Sequence, residues 1–453
     1  MYVLLIALLL LLFLNIIPVF KFELLYPPVI FTLMFLFCTS VGLIRYNDWR
    51  LYEYSSDTVC LIMLGVCSFV IMGFVARLFE RNIPKCLSGY RRERLEISRL
   101  YVAFFIILGI VGNLLFFFYI KRVVVALGYD SSSLSRLLNS YYNIKVALKN
   151  TGEYGIPRIV TVLNYIVNVN ALLALYVLLH NFCFKVAKKE DFWLLILVGL
   201  WPVQLLLNSA RGNILILLAE TVYLLYFFWN TYYGWNKKTQ KKILKWGIIF
   251  FASFLALFLV LTVFLGRRSS FEELDIIDYL TIYISGGIRN FDLFLKEPVL
   301  SSDFGRESFP AVHRFLYNHF GIGELYSLGL EFRAIDGKNI GNIYTAFRRF
   351  YADFGTLGIV ILSGFLGYFF SFLYVKIKEK CYKNKFDFTI ILFCCISKEI
   401  FYMAIEDTLF ISELSFNGLF RLIMMYILYY IFIKRKAKFK VTRCIYLRAA
   451  QHL

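Results

Sequence analysis

The residues best suited to chemistry are arginines placed where long apolar runs break. Arg211 lies in Asn208-Ser209-Ala210-Arg211-Gly212-Asn213, a very short polar turn between two such runs. A guanidinium is a planar fork of fixed donors and suits a phosphate or pyrophosphate. Asn208, Ser209 and Asn213 add further donors at the same depth. The same arginine also serves as a topological anchor if it only snorkels to the interface. Arg348 and Arg349 form a second group, inside Gly341-Asn342-Ile343-Tyr344-Thr345-Ala346-Phe347-Arg348-Arg349-Phe350-Tyr351-Ala352-Asp353-Phe354-Gly355. Read as a helix, this segment puts Tyr344, Phe347 and Tyr351 on one face, with the arginines and Asp353 at its boundary. That pattern fits an interfacial helix leading into a membrane span. It either holds an anionic headgroup or is an aromatic belt with solvated arginines.

Proton transfer to or from a hydroxyl needs an imidazole or a carboxylate nearby. His313, His319 and Asp353 are candidates, with Glu324 and Asp336 competing. Lys398, Glu399, Glu406, Asp407 and Arg421 lie in or beside later apolar runs. Charges there must be paired or hydrated, so they line either a charge-paired interior or a hydrated cavity. Asn164 and Asn168, four apart, suit helix–helix hydrogen bonds. The sequence contains no G-x-x-x-x-G-K-[ST], no H-E-x-x-H, no G-x-S-x-G and no C-x-x-C. Glu273-Leu274-Asp275 is the nearest thing to an acidic metal pair, and one such tripeptide is expected by chance. Neither metal nor another cofactor is expected.

These residues are held by membrane helices. Of 453 residues 60% are hydrophobic and 17% charged, against about a quarter charged in soluble domains; mean hydropathy is +0.68. Eleven apolar runs are long enough to cross a bilayer as helices. They cover about 2–20, 27–44, 58–79, 100–120, 159–182, 192–208, 212–230, 246–266, 355–375, 387–405 and 415–433, within a range of ten to twelve spans. The first is read as a retained span, because no positive n-region or small-residue cleavage site accompanies it. The expected class is an all-α polytopic integral membrane protein. Its parts are a bundle over 1–266, a large partly helical outer loop over 267–354, spans over 355–433 and a basic tail over 434–453. A second long outer loop covers about 121–158.

The net charge of +19 is distributed by side. The loops 21–26, 77–99, 183–191, 231–245, 376–386 and 434–453 hold 28 lysines and arginines in 84 positions. The alternating set 45–57, 121–158, 209–211, 267–354 and 406–414 holds 19 in 151. Basic loops stay in the cytoplasm, which puts the amino terminus outside, the carboxyl terminus inside and both long loops outside. Cys86, Cys183, Cys381 and Cys444 fall in the basic set, while 267–354 has no cysteine. The charge therefore reflects topology, and no nucleic-acid partner is expected.

Asn342–Gly367 (N-I-Y-T-A-F-R-R-F-Y-A-D-F-G-T-L-G-I-V-I-L-S-G-F-L-G) resembles the Wzy-type oligosaccharide repeat unit polymerases of bacteria. That family commonly shows an N-x-Y-T-A-like segment, aromatics, and then D-F-G-x-x-G opening a helix. Tyr283–Pro298 is similar to its segment opening the large outer loop, and Asn208–Asn213 to its S-x-R-G-like turn. The resemblance implies a GT-C-like, metal-independent glycosyltransferase of the bacterial plasma (inner) membrane, working on its periplasmic, extracytoplasmic face. Its substrate would be an undecaprenyl-pyrophosphate-linked oligosaccharide, its product an O-antigen, capsule or exopolysaccharide. Membrane lipid and, in the same pathway, a chain-length regulator and a flippase are the implied partners. Arg211, Arg348, Arg349 and Arg289 are then expected at the pyrophosphate, Arg289 solely through its place in Tyr283–Pro298; His313, His319 or Asp353 is expected as the base.

Three other classes remain open in the sequence. A ligase-type glycan transferase shares the donor chemistry, and loss of a ligase would leave unattached long chains instead of single units. A flippase or transporter of lipid-linked sugars calls for internal repeats and small loops, neither of which this sequence has. A membrane acyltransferase calls for a membrane histidine with an acidic partner, which His180 only weakly approaches.

Overall fold

Helix starts in this chain are set by short polar or proline-bearing segments between apolar runs. Ser55, Ser98, Asp387 and Ser415 each accept a hydrogen bond from a backbone N–H of the first turn that follows, satisfying one of the orphan donors there. Pro27 and Pro28 open another helix, where their missing N–H groups cost nothing. In the computed structural model the described residues are all except 82–92, 148–155, 209–211, 248, 250–275, 302, 325–328, 383–385 and 435–453.

The helices are α1 Tyr2–Val19, α2 Pro27–Gly42, α3 Ser56–Leu78, α4 Arg99–Ala126, α5 Leu134–Ala147, α6 Arg158–Cys183, α7 Leu194–Leu207 and α8 Gly212–Tyr233. Farther along the chain come α9 Ile276–Lys296, α10 Pro310–Phe320, α11 Ala346–Tyr382, α12 Phe388–Ile396, α13 Lys398–Tyr402 and α14 Phe416–Tyr429. One antiparallel hairpin interrupts them, β1 Arg333–Ile335 paired with β2 Lys338–Gly341. Eight helices among the described residues are long and apolar enough to cross a membrane. The chain is an all-α polytopic membrane protein with a small β-hairpin in one loop.

Two expected spans differ from the reading by hydropathy. The run 387–405 is not one continuous helix. It is α12 and α13 with a break at Ser397, whose Oγ donates to the Cys394 carbonyl at 2.9 Å, and past that break Glu399 turns its carboxylate onto the following loop. Its Oε2 accepts from the N–H groups of Thr408 (2.9 Å) and Leu409 (2.6 Å) and from the Thr408 hydroxyl (2.5 Å). The run 246–266 falls almost wholly outside the described residues.

The loops sort into two groups by mutual contact. Arg50 and Lys338 reach Asp336 (2.6 Å) and Asp48 (3.2 Å), joining 45–57 to 267–354. Lys145 donates to Asn208 at 2.9 Å, joining the 121–158 segment to the end of α7. On the other group, Arg94 pairs with Asp191 at 2.5 Å. A tighter cluster there centres on Glu23, between α1 and α2, which takes Arg77 from α3 (2.9 Å), Lys378 from α11 (2.5 Å) and the Tyr374 hydroxyl (2.9 Å). Lys378 also meets Glu80 at 2.6 Å. Two cations and two carboxylates thus close on one another where three helices end, nearly out of water. Each of these loop-to-loop contacts stays within one of the two sets that the basic residues separate.

The main seam of the bundle runs between α3 and α11. A side chain at Gly367 would meet the Phe69 carbonyl at 2.3 Å, so the two backbones touch. Phe31 stacks on Phe69 at 3.9 Å beside that seam, and Ser68 donates to the Val360 carbonyl at 2.7 Å. Close backbone approach through small residues is how membrane helices gain packing without a hydrophobic drive.

Candidate functional site

The loop between α9 and α11 folds back over the first turns of α11, and there the charged residues gather. The start of α11 is fixed by two contacts. The Ala346 N–H donates to the Met403 carbonyl at 2.9 Å, and Asn290 of α9 donates to the carbonyls of Ile343 (2.9 Å) and Gly341 (3.2 Å). The first turns end at Gly355, whose φ of +59° and ψ of −149° are non-helical. Such a backbone is open essentially to glycine alone. A Cβ at Gly358 would lie 2.2 Å from the Phe350 carbonyl, so the next turn has room only for a hydrogen. The D-F-G-x-x-G pattern is therefore a bend: a short helix carrying Arg348 and Arg349, then the spanning part of α11.

Arg348 and Arg349 are each nearly buried, and both face Glu307. Arg349 Nη1 donates to Glu307 Oε2 at 2.8 Å. Arg348 Nη1 stands 2.9 Å from the same oxygen as an ion pair without hydrogen-bond alignment. Its Nη2 donates to Glu331 Oε2 at 3.1 Å, and its guanidinium lies over the Phe294 ring at 4.8 Å. Glu331 meets Arg333 at 3.4 Å, and Arg333 donates to the Tyr344 hydroxyl at 3.3 Å. Burial pushes the Glu331 carboxyl up, but a hydrogen bond from its own backbone and the charges of Arg348 and Arg333 leave it below the usual range. Burial raises the Tyr344 phenol to about 12. The carboxylates are the outer layer: Glu307 and Glu331 are 21% and 33% exposed, each arginine 4%. An anion reaching the arginines must therefore replace or pass these carboxylates.

Asp353 belongs to this site in a different capacity from a proton acceptor. Its Oδ1 and Oδ2 accept from the backbone N–H groups of Glu307 (3.1 Å) and Ser308 (2.6 Å). Ser308 Oγ in turn donates to the Arg349 carbonyl at 3.3 Å. Asp353 thus holds the Glu307 turn above the arginines.

The histidines sit farther out, on α10. His313 Nε2 stands 2.9 Å from the Phe304 carbonyl and must carry the proton, since a carbonyl only accepts. His319 is exposed at the end of α10, its ring against Phe315 at 4.6 Å. Arg289 goes to the opposite side of α9. It is an ion partner of Asp292 and donates to the Arg50 carbonyl at 3.3 Å, while Asp292 accepts from Ser55 N–H (2.9 Å) and Thr58 Oγ1 (2.7 Å). Those bonds lock α9 to the start of α3, away from the Glu307 turn. Arg211 lies outside the described residues.

Sequence reading missed Glu307 and Glu331 and treated Asp407 only as one of several membrane charges. Asp407 is buried. Its Oδ1 accepts from Phe410 N–H at 3.1 Å and its Oδ2 has no hydrogen-bond partner. Burial pushes its carboxyl far above the usual range, with Glu399 adding to the rise and the charge of Arg349 opposing it. Phe410 packs against Phe350 (6.1 Å) and Phe309 (5.0 Å), which ties this turn to the arginine helix and to the start of α10. An apolar run ending in Glu406-Asp407 was the available signal. Deeper, Glu413 bridges Lys398 (2.5 Å) and Arg421, and Arg421 also donates to Asn168 at 3.3 Å, the charge-paired interior. Among the described residues no group of three or more His, Cys, Asp or Glu is placed to hold a metal ion.

Comparison of the chain with protein-family models, with curated proteins and with solved structures finds no match in any of the three.

Proposed function

We propose that this chain is a polymerase of lipid-linked oligosaccharide repeat units, acting at the face opposite its basic loops. In this reading the membrane is the bacterial plasma membrane, the bundle is GT-C-like with about eleven spans, and the product is a surface polysaccharide. The observation that carries the reading is the Arg348–Arg349 pair, buried at the head of a spanning helix beneath two loop carboxylates. Two adjacent guanidiniums at that depth match a diphosphate, and Glu307 and Glu331 match the counter-ions that such a ligand would displace.

The transfer forms a bond between an acceptor hydroxyl oxygen and the anomeric carbon of the donor glycan. The bond from that carbon to the pyrophosphate oxygen breaks, and charge develops on the departing diphosphate. Arg348 and Arg349 stabilise that charge. The hydroxyl proton passes to a carboxylate, and Asp407 is the best-suited acceptor because one of its oxygens is buried without a partner. Its raised affinity for protons suits a general base. The remaining expected spans follow from the apolar runs of the sequence, and the sugar chemistry and the partner proteins from the family resemblance alone.

The test uses the purified full chain in vesicles supplied with an undecaprenyl-pyrophosphate-linked repeat unit, read as elongated lipid-linked product. Arg348→Lys and Arg349→Lys keep the charge and lose the fork, and each should lower the rate about 10²- to 10³-fold at unchanged thermal stability. Arg211→Lys asks the same of the turn at 208–213. Elongation that continues at the wild-type rate in all three variants would remove the diphosphate clamp.

A further inference from the structure

The bundle has a second polar opening to the membrane, on the face of the basic loops and independent of the catalytic reading. A cavity of about 880 Å³ lies where α4 begins and the 3-10 helix Lys189–Trp193 leads into α7. Its floor is closed. Arg94 donates to Asp191 at 2.5 Å, and Asp191 also accepts from Asn181 Nδ2 (3.2 Å) and the Lys188 N–H (3.0 Å). Its rim is charged in both signs, by Arg99, Lys188, Glu96 and Glu190, and Arg94 stands 3.4 Å from Glu96 and 3.8 Å from Glu190. Arg99 reaches Glu190 at 2.5 Å, yet its side chain is 84% exposed. The remaining wall is apolar, made by Val102, Ala103, Ile106, Ile107 and Trp193. It continues onto the outer surface of α4, where Phe104 and Ile107 are exposed in the apolar run that crosses the membrane.

A soluble ion would need only the rim, and a hydrocarbon chain only the wall. A phosphoglyceride needs both, at the depth where a capped helix start and an exposed tryptophan mark the boundary between water and lipid. The balanced rim further separates headgroups. An anionic headgroup would meet two carboxylates with nothing to offer them. A quaternary ammonium carries no N–H to donate. A primary ammonium supplies three donors beside its phosphate.

We propose that this cleft is a binding site for an aminophospholipid, with its phosphate at Arg99 and Lys188, its primary ammonium at Glu96 and Glu190, and an acyl chain along Val102–Ile107. The full chain, reconstituted in vesicles of equal parts phosphatidylethanolamine, phosphatidylcholine and phosphatidylglycerol, is extracted in mild detergent and its retained lipid identified by native mass spectrometry. Retention of the ethanolamine lipid roughly tenfold over the choline lipid is expected from the lost ammonium hydrogen bonds. Ala103→Trp fills the groove at an exposed position and should abolish retention without disturbing the fold. Glu190→Gln should turn the preference toward phosphatidylglycerol. Equal retention of all three lipids, unchanged retention in both variants, or full displacement by water-soluble glycerophosphoethanolamine would each overturn the proposal, the last because a soluble headgroup would then be the occupant.

Discussion

The two faces of the bundle carry the same small set of charges in opposite mechanical settings. At the Glu23 cluster, Arg77 and Lys378 come from helix ends and Glu23 from the tight turn between α1 and α2, and the group is nearly dry. At the Arg348–Arg349 cluster, the cations ride a helix while Glu307 and Glu331 arrive on irregular chain and remain partly exposed. A carboxylate held dry in a short turn between two helices is hard to move; one carried on a longer loop and partly exposed is replaceable. The difference points to a clamp at one face and an exchangeable anion site at the other.

That contrast breaks most visibly at Glu23. Glu23→Gln leaves two buried cations short of a counter-ion and should cost about 3–5 kcal/mol of stability, read as lowered thermal unfolding in detergent. A small shift would mean that the dry cluster is as forgiving as the loop one. The next largest effect concerns Asp407. As the proposed proton acceptor it would work only when ionised, and its raised proton affinity places that ionisation above the ordinary aspartate value of about 4. The transfer rate should therefore climb with pH in a window above that value and level off once the carboxyl is fully ionised. Asp407→Asn should lower it about 10²- to 10⁴-fold and flatten the pH profile, whereas a retained profile would assign the proton elsewhere.

Glu307→Gln sharpens the comparison from the other side. Stability should fall less than at Glu23, since Glu307 is partly exposed and Arg348 keeps Glu331, and under the proposed function the KM for the lipid-linked donor should fall a few-fold because a diphosphate would no longer compete with a carboxylate. A rise in KM would make Glu307 part of the substrate contact. His313→Gln should alter the rate by no more than about twofold, since its ring nitrogen is engaged by the Phe304 carbonyl. A loss as large as that of Asp407→Asn would return the proton to the imidazole.

Hydropathy made the long spans legible, because a run such as 56–78 or 158–183 has one stable state in lipid, a helix. It read 387–405 as one span, whereas the helix breaks at Ser397 and stops at Tyr402, and Glu399 collects the amides of the turn beyond. The arginine pair was readable from its place at the head of a span, whereas D-F-G-x-x-G marked only a helix start and the bend at Gly355 emerged with the structure. Glu307 and Glu331 were not, since residues some distance away along the chain meet the arginines only through the fold of the intervening loop. Asp353 shows the same limit: its position announced importance, while its role as a holder of backbone amides depends on which turn sits above it.

The Glu23 turn also bears on biogenesis. Its flanking sequence offers Lys21 alone to fix the orientation of the first hairpin. The cations that neutralise Glu23 emerge from the ribosome 54 and 355 residues later. Until the second of them is made, the nascent turn carries a carboxylate that hydrocarbon would reject, and this keeps it in water on the side where synthesis left it. Completion of the eleventh helix then seals in place an arrangement begun with the first few dozen amino acids.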